Sequence, residues 1–189
     1  MENSLSSPEG LPPSVGPASL AEIVAAHPFW QGLPHEYLPA LVRAAALQRF
    51  GVGDVIFQER HEADHLYLLH QGQVALEAFM PGQGVTTLQV LAAGEALGWS
   101  WLFPPYLWQC TARSLDATEI VAFSASSLRA VAERNAGFGR DLVTRMSQVL
   151  LHRLEATRLK LREFHGSVLP PGAPDCLSRE ADDAESAGS

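Results

Sequence analysis

Histidines are the residues of this chain that most readily suggest a metal site, but their spacing argues against one. Jelly-roll proteins of the cupin type hold a metal through two histidines separated by one residue, with a glutamate following on an adjacent strand. His61, His65 and His70 are instead four and five residues apart. On one strand this places His65 and His70 on opposite faces, so we expect no bound metal and no haem.

Cysteine and carboxylate side chains do not form a catalytic set either. Cys110 could serve as a redox sensor, although a lone cysteine in a β core is usually inert. Glu59, Glu62 and Asp64 have the pattern of turn residues. No serine–histidine–aspartate set, phosphate-binding glycine loop or carboxylate pair stands out. The sequence therefore predicts a protein that is not an enzyme.

Aromatic residues dominate the stretch Gly94–Ser114, GEALGWSWLFPPYLWQCTARS, which holds three of the four tryptophans. Indole rings can line a pocket and select an uncharged flat ligand by stacking. They can equally fill that pocket, so that nothing binds. The residues of this candidate pocket are Gly98, Trp99, Trp101, Trp108, Gln109, Cys110 and Thr111.

The composition predicts a soluble, cytoplasmic, globular domain. The chain has 189 residues, of which 47% are hydrophobic, and we see neither a membrane-spanning run nor a secretory signal. Its two cysteines, Cys110 and Cys176, lie far apart, which is typical of a reducing compartment. The net charge of −8 argues against nonspecific nucleic-acid binding.

An apolar–polar alternation with a period of two predicts many short strands, separated by glycine-rich turns. Even spacing of such strands is typical of a closed or double-sheet β architecture. The predicted strands are Leu47–Phe50, Asp54–Phe57, His65–Leu69, Val74–Phe79, Thr86–Leu91, Gln109–Arg113 and Thr118–Phe123.

Helical periodicity flanks these strands on both sides. The predicted helices are Ser19–Ala26, Pro34–Ala46, Ser126–Asn135 and a long one over Phe138–Phe164. Residues 1–18 are rich in Ser, Pro and Gly, and residues 165–189 in Pro, Ser and Ala with an acidic end. Both patterns predict disorder, so we place one domain at 19–164 with a disordered leader and a disordered acidic tail.

The segment GVGDVIFQERHEADHLYLLHQGQV, with Gly53, Asp64, Tyr67 and Gly72 at matching places, resembles the cyclic-nucleotide-binding domain family. The resemblance implies a mainly β fold with flanking α-helices. It predicts a β-roll of jelly-roll type, preceded by short N-terminal helices and followed by a long C-terminal helix.

In that family, the stretch that corresponds to Gly94–Ser114 cradles the cyclic phosphate. Gly98 matches the family's glycine, but Trp99 stands where the ribose-binding glutamate belongs, and Trp108 where the phosphate-binding arginine belongs. The resemblance therefore implies weak or no binding of cyclic AMP or GMP. A non-standard small ligand, or no ligand at all, remains open, and we predict no cofactor.

The long C-terminal helix is the dimerisation helix of the resembled family. An apolar stripe of Leu142, Met146 and Val149 faces away from a heptad-spaced set, which comprises Leu150, Leu154, Thr157, Leu161 and Phe164. We therefore predict a homodimer. The segment Asn135-Ala136-Gly137 is predicted to be a movable joint before this helix, because Gly137 and Gly139 lower the cost of a backbone change.

The residues after this helix are too few and too acidic for the winged helix-turn-helix domain that bacterial transcription regulators of this family carry. We predict no direct DNA binding, no membrane association and a protein partner. Three interpretations remain: a sensor that signals through the C-terminal helix, a ligand-free scaffold with a tryptophan-plugged pocket, and a transcription regulator that acts through another subunit.

Overall fold

A computed structural model describes residues 18–168, with side-chain surroundings described up to residue 162. The leader up to residue 17, Cys176 and the rest of the tail from residue 169 lie outside the described residues, as does the Phe164 side chain. The chain divides into two units, one ending at Met146 and the other beginning at Ser147. The first contains all strands of the described residues, and the described part of the second is helical.

Eight strands form the centre of the first unit: β1 (Ala45–Phe50), β2 (Val55–Phe57), β3 (His65–Gln71), β4 (Gln73–Met80), β5 (Gly84–Ala92), β6 (Ala96–Leu97), β7 (Thr111–Ser114) and β8 (Thr118–Ser124). One four-stranded sheet has the order β1-β8-β3-β6, and the other has the order β2-β7-β4-β5. All pairings are antiparallel. The predicted mainly β fold with flanking helices is confirmed.

Four α-helices accompany the sheets: α1 (Leu20–Ala26), α2 (Leu38–Ala44), α3 (Ala125–Arg134) and α4 (Ala136–Val168). Ser19 caps α1 because its hydroxyl accepts from the Glu22 amide while the Glu22 carboxylate accepts from the Ser19 amide. Three short 3-10 turns cover Pro28–Trp30, His35–Tyr37 and Ser100–Leu102.

Several predicted boundaries were wrong. The predicted helix Pro34–Ala46 is a 3-10 turn followed by the seven-residue α2, and Ala45 already belongs to β1. Gln109 and Cys110 precede β7 rather than opening it. The short strand β6 was not predicted, because two residues cannot show a period. Helix α4 begins at Ala136 and continues past Phe164 to Val168.

Side chains between the two sheets are apolar and almost fully buried. Leu66, Leu68, Val74, Leu91 and Ile120 are inaccessible to solvent. At the α1–α2 end, Trp30 packs edge-on against Phe123 of β8 and stacks on Phe138 of α4. Leu142 and Met146, two members of the predicted apolar stripe that also includes Val149, are buried as well.

Candidate functional site

The candidate pocket residues belong to the connection between the two sheets. Strand β6 lies at the edge of the first sheet, and β7 lies inside the second. The chain between them must therefore cross the end of the sandwich, over residues 98–110. We call the stretch Gly94–Ser114, which contains this crossing, the cassette.

Gly98 and Trp108 are brought together within the cassette. Gly98 has a φ of +77°, a conformation that side chains rarely adopt. A β-carbon built on Gly98 would lie 2.5 Å from Cζ3 and 2.7 Å from Cη2 of Trp108. The Trp108 ring thus occupies the space that a side chain at residue 98 would need.

The Trp108 ring is one layer of an aromatic stack between the sheets. Its ring centre is 4.0 Å from that of Phe57, at an interplanar angle of 17°. Tyr67 follows at 5.7 Å from Phe57 and 6.0 Å from Trp108, and His65 stacks on Tyr67. Burial, assisted by the Asp64 carboxylate, raises the pKa of Tyr67 to about 12. The Tyr67 phenol is therefore uncharged over the whole physiological pH range.

The β2–β3 loop holds Trp108 in this position through its backbone. The Trp108 amide donates to the His61 carbonyl, and the Trp108 carbonyl accepts from the Arg60 amide, both at 2.9 Å. The Ala63 amide also donates to the Tyr106 carbonyl at 2.7 Å. Arg60 and Tyr106 both adopt a positive φ without being glycine. These backbone hydrogen bonds therefore hold two residues in strained conformations at the crossing.

Trp101 does not join this stack. It is fully buried, and its carbonyl accepts a 2.6 Å hydrogen bond from Arg129 of α3. The Arg129 guanidinium also lies 5.1 Å from the Tyr106 ring centre and 5.9 Å from that of Trp101. Such cation–π contacts add to the hydrogen bond. Trp101 thus joins the cassette to α3, whereas its place in a ligand pocket stays a prediction.

The remaining candidate residues lie in different surroundings. Trp99 and Cys110 are half-buried, whereas Gln109 is exposed and donates from its amide to the Leu107 carbonyl. Thr111 accepts from the Glu59 amide through its hydroxyl. Because Ala112, next to Thr111, is fully buried, strand alternation places Thr111 on the outer face of the second sheet.

Arg113 shares that outer face and is engaged by other groups. Its Nε donates to Glu77 at 3.1 Å, and its Nη1 donates to the Gly53 carbonyl at 2.8 Å. Arg113, Thr111 and Glu77 line an open cleft of about 540 Å³ on this face, opposite to the aromatic stack. Arg49 likewise pairs with Glu119 at 2.7 Å. Both arginines are therefore paired with carboxylates.

Among the described residues, no group of three or more His, Cys, Asp or Glu side chains lies close enough together to hold a metal ion. His65 pairs with Asp64 through Nδ1 at 2.8 Å.

No helix among the described residues is long and apolar enough to span a bilayer.

Sequence reasoning missed the contributions of Phe57 and Arg129. Strand alternation could not have found Phe57, because it would place Phe57 on the same face as exposed Val55; the register shift between these two residues in the pairing of β2 with β7 turns the buried ring inward. Arg129 gives no local signal either: it is one polar residue of an amphipathic helix, and only the tertiary structure places it beside the Trp101 carbonyl.

Comparison with known proteins agrees with this architecture. Residues 47–135 match the family model of the cyclic nucleotide-binding domain. No protein with a curated description matches the sequence significantly. A Geobacter metallireducens GS-15 protein assigned as cyclic nucleotide-binding is 29% identical, with a TM-score of 0.63 over 71% of this chain and 97% of that one.

Two further solved structures share the fold at lower identity. A cyclic nucleotide-binding domain from Methylobacillus flagellatus KT has a TM-score of 0.66 at 19% identity, covering 76% of this chain and 82% of that one. The catabolite activator protein of Thermus thermophilus has a TM-score of 0.59 at 23% identity. That match covers 73% of this chain and 63% of the Thermus protein.

Proposed function

We propose, for a chain whose residues 47–135 form a domain of the cyclic nucleotide-binding family, that it is a regulatory module with a cassette filled by its own tryptophan. The observation that carries this proposal is the contact between Trp108 and Gly98. A nucleotide phosphate would have to enter where a buried, uncharged ring is stacked on Phe57. Burying a phosphate without a cationic partner costs several kcal/mol.

With a filled cassette, we expect the module to function through contacts with other proteins rather than through ligand binding. Arg129 links the cassette to α3, and α3 is followed directly by α4. Leu151, Leu154 and Leu159 of α4 are 53%, 47% and 59% exposed. Exposed leucines at this density favour a helical partner. We propose that α4 forms a homodimer, and that the dimer acts on a further protein partner rather than on DNA.

A scaffold and a sensor differ in what the cassette would bind, and the filled stack favours the scaffold. The sensor interpretation requires Trp108 to leave its place between Gly98 and Phe57. The β2–β3 loop opposes that movement, because the amide and the carbonyl of Trp108 are both hydrogen-bonded to its backbone.

Calorimetric titration with cyclic AMP tests the filled cassette. We expect no binding tighter than about 1 mM in the parent protein. Trp108→Arg combined with Trp99→Glu supplies the cation and the carboxylate that the resembled family uses, and should tighten binding by at least tenfold. Trp108→Phe is the matched control, since it keeps an uncharged ring. Micromolar binding by the parent protein would refute the proposal.

A further inference from the structure

A separate cavity of about 310 Å³ lies beside the two N-terminal helices. Its lining comes from α1, from the turn that follows it and from α2: Ala25, Trp30, Gln31, Gly32, Leu33, Pro34, His35, Leu38 and Leu41. None of these residues belongs to the cassette. We propose that this cavity is a binding site for a small, uncharged ring compound, which goes beyond the proposed function of the cassette.

The floor and the rim of the cavity differ in polarity as a ligand site requires. Trp30 and Leu41 are 4% and 1% exposed and supply an apolar floor. Gln31 and His35 are exposed at the rim, and each can donate and accept hydrogen bonds. An apolar body with a few polar groups at its mouth is typical of small-molecule sites.

The charge of the lining excludes a strongly ionic ligand. The chain carries 21 acidic and 13 basic residues, yet the nine lining residues include no carboxylate, lysine or arginine. A charged molecule would therefore lose its hydration without gaining an ionic partner. An uncharged ring with one hydroxyl or carbonyl group matches both the Trp30 face and the rim.

The size of the ligand follows from comparison with a cavity whose occupant is known. A protein cavity of about 150 Å³ accommodates benzene. A cavity of about 310 Å³ therefore accommodates roughly a dozen non-hydrogen atoms, the size of a small ring compound.

The wall of the cavity is already ordered by its own hydrogen bonds. Amides of Trp30, Gln31 and Leu33 donate to the carbonyls of His27, Pro28 and Trp30 at 2.9 to 3.1 Å. Gly32 has a φ of +73°, and a β-carbon there would meet no atom within 4 Å. A ligand would thus enter a preformed site and would order little chain on binding.

The Trp30 indole connects this cavity to the start of α4. Its ring stacks on Phe138 at 6.3 Å between ring centres. Arg145, two turns further along α4, donates to the Phe29 carbonyl at 2.6 Å. An occupant that moved Trp30 would therefore act on the first turns of α4 directly, without using the cassette.

Amide–nitrogen correlation spectra of the full chain test the site, with benzyl alcohol as the probe. Trp30→Phe assigns the Trp30 indole signal among the four tryptophans. We expect that signal to shift saturably at about millimolar probe, while the Trp108 signal moves little. Ala25→Phe places a ring at the exposed edge of the cavity and should weaken binding at least tenfold.

Ala21→Phe is the matched control, because Ala21 is exposed on the same helix but does not line the cavity. It should bind the probe as the parent protein does. A Trp30 signal that does not saturate, or equal binding by Ala25→Phe and Ala21→Phe, would overturn the inference. Neither outcome bears on the cyclic AMP titration, so the two proposals fail independently.

Discussion

The Tyr37 hydroxyl donates a 3.1 Å hydrogen bond to Oδ1 of Asn135, 98 residues further along the chain. The same oxygen accepts from the Phe138 amide and so caps the start of α4. A β-carbon on Gly137 would lie 3.1 Å from that oxygen and 3.2 Å from the Tyr37 hydroxyl. The close approach of these two groups explains why residue 137 is a glycine. The role of Asn135-Ala136-Gly137 as a movable joint stays a prediction.

Gly137→Ala should consequently be less favourable in the parent protein than in a Tyr37→Phe background. In the parent protein it crowds Tyr37 and Asn135 and should not stabilise the fold. In Tyr37→Phe only the Asn135 oxygen remains close, so the helix propensity of alanine, worth up to about 1 kcal/mol, should offset more of the crowding. Urea unfolding of the parent protein and the three variants measures this, and equal effects in both backgrounds would contradict the close-approach explanation.

Gly98→Ala should be among the most destabilising glycine substitutions, at about 2–4 kcal/mol. It combines the cost of a positive φ with the collision against Trp108. Gly82→Ala is the control, since φ is +82° there but nothing lies within 4 Å. Gly82→Ala should cost only about 1–2 kcal/mol. Equal losses in urea unfolding would mean that the Trp108 ring moves aside freely.

Arg129→Lys should loosen the connection between the cassette and α3. Lysine keeps the charge but cannot both bond the Trp101 carbonyl and lie over the Tyr106 ring. We expect a loss of about 1 kcal/mol and faster amide exchange over residues 99–107. Arg134→Lys, at an exposed position of the same helix, should change neither. Unchanged exchange in Arg129→Lys would exclude this connection.

His27 should make stability depend on pH. Its Nε2 donates to the Leu69 carbonyl and its Nδ1 accepts from the Phe29 amide, an arrangement that requires a neutral ring. Burial, together with the nearby His70, lowers the pKa of His27 below its ordinary value of 6.5. The unfolded chain therefore binds the proton more readily. His27's contribution is complete above about pH 6.5 and declines as the pH falls below it.

Urea unfolding between pH 7.5 and 5.5 checks this expectation. His27→Leu should lower stability at pH 7.5 and flatten the decline towards pH 5.5. Ile23→Val, a change at another buried position near α1's end, should lower stability by about 1 kcal/mol at every pH. A slope that survives His27→Leu would assign the pH dependence to other groups.

Leu154→Asp should convert the proposed dimer to monomers while leaving the β-roll folded. The substitution places a charge in a seam that association would dehydrate. Light scattering measures the mass, and circular dichroism checks the fold. His152→Asp, at an exposed position two residues earlier, should leave the mass unchanged. A monomeric parent protein would exclude the dimer.

Local features of the sequence determined the order of strands and helices. Alternation with a period of two predicted seven of the strands to within about two residues, because exposure alternates along any half-buried strand. The turn glycines Gly53 and Gly72 were equally predictable, since their positive φ is a local requirement. Strand β6 and the division of Pro34–Ala46 were not, because short elements exist only through their partners.

The fates of Trp99, Trp101 and Trp108 were decided by the tertiary structure alone. The three residues share one chemistry within ten positions, yet one is half-buried, one lies behind Arg129, and one fills the space above Gly98. What surrounds Trp101 and Trp108 comes from α3, β2 and the β2–β3 loop, which are distant in sequence. Whether a ring lines or fills a pocket depends on such long-range packing, which no local pattern encodes.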